Sequence, residues 1–112
     1  MVVISLPMQQ EIRIGWTTLG SIASAEALAS EIVEAHLAAC VQIEALSASV
    51  YRWEGKVCQE KEWRLTVKFP LEKAQKLEAF LKKRHPYDCP EWIVVRPESV
   101  APEYLKWACA RD

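Results

Sequence analysis

His85, Cys89 and Glu91 are the residues of this chain whose types and spacing come nearest to a metal site. An imidazole, a thiol and a carboxylate all ligate borderline divalent ions, and Pro86 and Pro90 supply turns across which the three could converge. One histidine alone holds copper or zinc weakly, so partners are needed, from the same turns or from another copy of the chain. The plainer reading of His85 is a helix-terminal histidine facing the last carbonyls. His36 reads as a half-buried structural residue at the edge of a helix's apolar stripe. Lys82-Lys83-Arg84-His85 is a short basic run that a helix C-terminus favours through its dipole, and it reads as solvated.

The four cysteines, Cys40, Cys58, Cys89 and Cys109, are 18, 31 and 20 residues apart. No pair has the close spacing of a zinc knuckle or a redox dithiol. Cys40 reads as core packing. Cys58, near a hairpin tip, reads as the most exposed thiol and so the one to meet soft metals or oxidants. The first basic side chain is Arg13, which is not a secretory pattern, so four reduced thiols in a cytoplasmic protein are expected. Three isolated glycines cannot build a phosphate-cradling loop, and neither histidine has a specific Ser or acid partner in the sequence. Catalysis is therefore unsupported, and the expectation is no enzyme.

A second constellation is aromatic. Tyr51, Trp53, Tyr87, Tyr104 and Trp107, with Lys68, Glu62, His85 and Glu91, have the mixture of apolar walls and few charges that a small-ligand cleft uses, here one between subunits. Aromatic residues are also enriched where subunits pack, so interface packing is the competing reading.

The elements that must position these groups follow from periodicity. Ile12 and Ile14 alternate with Arg13 in a first strand over residues 11–18. Ser21 caps a helix over 21–37, in which Ala25, Leu28, Ala29, Ile32 and Val33 recur at helical spacing. Residues 39–53 read as a long strand with a bulge near Ala45-Leu46, and Glu54-Gly55 as a tight turn. Trp63, Leu65, Val67 and Phe69 give the return strand, 57–69, a clean period of two. Pro70 then opens a helix over 71–84, followed by a short buried strand at 92–95 and a last helix over 102–110. The order β-α-β-β-α-β plus a helix is the α+β ferredoxin-like sandwich. Residues 1–10 read as a flexible tail and residues 11–112 as a single domain.

Composition agrees. A chain of 112 residues with 51% hydrophobic and 26% charged residues can bury a core. Its net charge of −1 disfavours nucleic acid as a partner. No apolar run approaches the roughly 20 residues of a membrane span. The long hairpin is the anomaly. Its strands are about twice the usual five or six residues, and its outer part carries Tyr51, Trp53 and Val57. Open edges with apolar groups invite pairing with sister chains in a closed ring, the competing reading being a solvated hairpin carrying Arg52, Glu54, Lys56, Glu60, Lys61 and Glu62.

Five local motifs in order carry a resemblance: Leu37-Ala38-Ala39-Cys40-Val41, Tyr51-Arg52-Trp53-Glu54-Gly55-Lys56, Glu62 with Lys68, His85-Pro86-Tyr87 with Pro90-Glu91, and Tyr104-Leu105-Lys106-Trp107. The set resembles the CutA family of divalent-cation tolerance proteins over Ile14 to Trp107. The resemblance implies a homotrimer, with hairpins pairing between subunits. It implies copper or another divalent metal, weakly bound, or a regulatory response to metal ions, and no organic cofactor. Trp16 and Arg84 stand where some bacterial members have Cys and a second His suggested as copper ligands, leaving His85 of that set. By fold analogy alone the trimer is similar to PII-type sensors, whose small ligands sit in clefts between subunits, and the remaining alternative is a stable scaffold trimer with no ligand.

Overall fold

A computed structural model describes residues 10–111, so the expected tail, apart from Gln10, lies outside the described residues. The elements are β1 (Ile12–Leu19), α1 (Ile22–Glu34), β2 (Cys40–Trp53), β3 (Lys56–Pro70), a 3-10 turn (Leu71–Lys73), α2 (Ala74–Arg84), β4 (Ile93–Val95) and α3 (Pro102–Ala108). The sheet order is β2-β3-β1-β4, antiparallel throughout. That is the ferredoxin-like arrangement, an α+β fold.

The core forms where the period-two strands meet the helical stripes. Leu65, Val67 and Phe69 of β3 are fully buried against Leu28, Ala29 and Ile32 of α1 and Leu77 and Leu81 of α2. Burying side chains of this size contributes roughly 1.5–3 kcal/mol each. Gly15 admits the Trp92 ring, with which a Cβ at that position would collide. Ser21 caps α1 by accepting the Ser24 N–H at 3.1 Å.

Several local details differ from the sequence reading. α1 ends at Glu34, not residue 37, because His36 adopts a left-handed φ of 58°. His36 N–H then donates to Val33 and Leu37 N–H to Ile32, which closes a Schellman motif. His36 is exposed there, not half-buried. Pro70 remains in β3, paired with Ile12, and the chain enters α2 through the 3-10 turn. α3 stops at Ala108. β4 is an edge strand paired only to β1, so Ile93 and Val94 are exposed in the single chain rather than buried.

The hairpin dominates the shape. Glu54 and Gly55 both have positive φ, the two-residue turn that matches strand twist. The register slips by one residue between Leu46 and Ser49, at the expected bulge. β1 leaves β3 at the Leu19–Trp63 pair, so beyond that point β2 and β3 form a bare two-stranded ribbon. The extents are 66 × 27 × 26 Å and the radius of gyration is 16.7 Å, against roughly 13 Å for a compact chain of this length.

Candidate functional site

Tyr51, Trp53, Glu62, Tyr87, Cys89 and Glu91 line one groove, of about 720 Å³, along the outer hairpin. β2 and β3 supply its floor, and the loop after α2 supplies its wall. The register puts Ser49 opposite Glu60 and Tyr51 opposite Cys58, on the face that also carries Glu62 and Arg64. The bulge sets this phase, since one extra residue moves the following side chains to the other face.

Lys68, Tyr104 and Trp107 are elsewhere. The Lys68 Nζ lies 5.6 Å over the Tyr104 ring, and Tyr104 and Trp107 pack at 5.6 Å between ring centroids. Trp107 belongs to a second groove at the base of the hairpin. Within one chain the two sets lie apart, and only a neighbouring subunit could join them in the intersubunit cleft expected of them.

His85 is buried, and its ring does not face the α2 carbonyls. Nδ1 lies 3.1 Å from the Tyr87 backbone N–H, which can only donate. Nε2 lies 3.0 Å from the Thr18 carbonyl, which can only accept, and 3.0 Å from Thr17 Oγ1. These partners fix the neutral tautomer with the proton on Nε2. Both ring nitrogens are then engaged, and neither presents a lone pair to a metal ion in this arrangement. Burial lowers the pKa of His85, against the opposing pull of the Thr18 carbonyl and Glu62. Among the described residues, no three His, Cys, Asp or Glu side chains converge as a metal site. The trio His85, Cys89 and Glu91 is therefore not assembled within one chain. His85 instead orients Tyr87, whose ring packs 4.9 Å from the imidazole.

Tyr87 carries that order into the groove. Its hydroxyl donates to Glu62 Oε2 at 3.2 Å. Burial first, and then the Glu62 carboxylate, push its pKa up to about 12. Burial and Glu62 also raise Glu91, with Arg64 pulling the other way. Glu60 and Asp88, which the sequence reading did not single out for a site, join Glu62 and Glu91 in the lining, against Arg64 as the one cation among the described residues. Arg64 is itself occupied. Its Nε donates to Glu44 at 2.7 Å and its guanidinium lies 5.8 Å over Trp16. The groove is consequently a region of negative potential with one apolar wall.

All four thiols are free. Cys89, at the groove, is the exposed one, and Cys58 is half-buried. Cys40 is half-buried at the start of β2, paired opposite Lys68, and is not in the core.

Comparison with known proteins gives a consistent result. The family described as CutA1 divalent ion tolerance protein matches residues 13–111. The Divalent-cation tolerance protein CutA of Pectobacterium atrosepticum is 39% identical over 85 residues, covering 76% of this chain and 77% of the relative. The structure of CutA from Synechococcus elongatus superposes with a TM-score of 0.85 at 33% identity, over 90% of this chain and 93% of that one. A structure described as the periplasmic divalent cation tolerance protein CutA from Archaeoglobus fulgidus gives a TM-score of 0.83 at 31% identity, over 87% and 94% of the two chains.

Proposed function

The chain belongs to the CutA1 divalent ion tolerance family, and from that premise we propose that it acts in divalent-cation tolerance as a homotrimer whose acidic groove meets the cation weakly. The observation that carries this reading is the charge of the groove. Four carboxylates face one already paired arginine, and Tyr87 is pinned to Glu62 among them. Such a field concentrates cations without a closed coordination shell. Cys89 and Glu91 are the ligating side chains, with copper as the soft candidate for the thiol, while His85 positions Tyr87 from behind. Trimer formation would place a neighbour's side chains beside the same groove and complete the ligand set. A regulatory role follows if cation binding there alters how the subunits present the groove to another protein. Four unpaired thiols favour a reducing compartment, and we assign the protein to the cytoplasm.

A second reading rests on size. The groove volume of about 720 Å³ and the apolar part of its floor, Leu46, Val50, Tyr51 and Trp53, suit a small organic ligand. Calorimetry with copper(I), copper(II) and zinc separates the two. The cation reading expects weak binding that falls roughly tenfold in Cys89→Ser with Glu91→Gln. No heat above the chelator background would remove it. A metabolite that raises the melting temperature while cations do not would establish the second reading instead.

A further inference from the structure

The groove at the base of the hairpin has the opposite charge. It holds about 620 Å³ between the turn after α1, the 3-10 turn and the end of α3. Lys73, Lys76 and Arg111 line it, with His36 beside them and Glu72 as the one carboxylate among the described residues. Among the described residues, none of these three cations takes part in an ion pair. The whole chain has a net charge of −1, so a positive groove is a local arrangement and not a reflection of general basicity.

Two further observations point to what the groove would hold. Trp107, in its wall, is 55% exposed although it sits in a helix of a packed domain. A large aromatic face left open beside unpaired cations suits a flat ring that bears negative charge. The end of α1 would ordinarily turn negative carbonyls toward this space. Here the Ile32 and Val33 carbonyls are taken by the Leu37 and His36 N–H groups, which removes two of the groups that would repel an anion.

We propose that the groove of Lys73, Lys76, Arg111 and Trp107 is an anion site for a phosphorylated ring compound, with phosphate on the cations and the ring on the indole. The volume lies within the range of small-molecule pockets. The site is separate from the acidic groove, because among the described residues the two share none of their lining.

The test is calorimetry on the full, assembled chain with adenosine diphosphate, pyrophosphate and adenosine as probes. The diphosphate should bind, and the other two should each bind at least roughly tenfold more weakly, since each lacks one of the two contacts. Lys73→Ala with Lys76→Ala should weaken the diphosphate by at least roughly tenfold and leave copper(II) and zinc heats unchanged. Arg111→Ala, at the chain end, is a second variant that spares the core. Absence of binding, binding unaffected by these variants, or pyrophosphate binding as well as the diphosphate would each overturn the proposal.

Discussion

The inner and outer halves of the β2–β3 hairpin follow one alternating pattern and reach opposite states. In the inner half, Leu65, Val67 and Phe69 are sealed beneath α1 and α2, and β1 pairs the far edge of β3. In the outer half, Val50 is 66%, Trp53 53% and Val57 72% exposed, and neither edge has a third strand. A two-stranded ribbon is marginal in water by itself. The same apolar alternation that makes a core where helices exist makes an incomplete surface where they do not. The proposed homotrimer would cover such a ribbon with neighbouring subunits, and the acidic groove along it would then be shared.

Substitutions in the two halves should separate most clearly by their effect on the subunit itself. Leu65→Ala should cost about 2–5 kcal/mol, read as a lowered urea midpoint, because the cavity is enclosed on all sides. A cost near zero would place the core elsewhere. In the outer half, Trp53→Ala should leave the subunit's far-UV circular dichroism intact and weaken assembly by about 2 kcal/mol or more, read by dilution in light scattering. Unchanged assembly would show that the tip stays in water.

The join between the halves holds the pH-sensitive element. The folded-state pKa of buried His85 is lowered from 6.5, so the unfolded chain binds its proton more readily. The stability linked to His85 is thus fully present above pH 6.5 and is lost as the pH falls below that value toward the folded-state pKa. Urea midpoints from pH 8 to pH 5 should decline in the wild type, and less steeply in His85→Asn. Equal slopes would contradict the neutral tautomer assigned from the Tyr87 and Thr18 contacts. The smallest effect lies at the inner end, where His36 holds a φ of 58° that glycine adopts without strain. His36→Gly should raise stability by about 0.5–1 kcal/mol, as a small rise in melting temperature. A loss would mean that the imidazole makes a contact of its own.

Much of this architecture was legible because it is local. The alternation of Trp63 to Phe69, the Glu54-Gly55 turn and the disturbed phase at Ala45-Leu46 each act over a few residues. His85 was misread because its partners are distant. Thr17 and Thr18 lie 68 and 67 residues away, and only the packed fold turns the ring from the α2 carbonyls toward them. Residue type alone groups Trp53 with Trp107, whereas within one chain they line separate grooves at the tip and the base of the hairpin. The end of α1 escaped notice because a histidine occupies a position where glycine is the usual signal. Glu60 and Asp88 carry no sequence signal of their own, and only the register and the loop after α2 bring them into one groove with Glu62.

Sedimentation equilibrium on the wild-type chain at micromolar concentration tests the sharing of the hairpin most directly. The account predicts a species of three times the 12.8 kDa chain mass that persists on dilution. A folded species of one chain mass, with the tip's tryptophan in water, would contradict it.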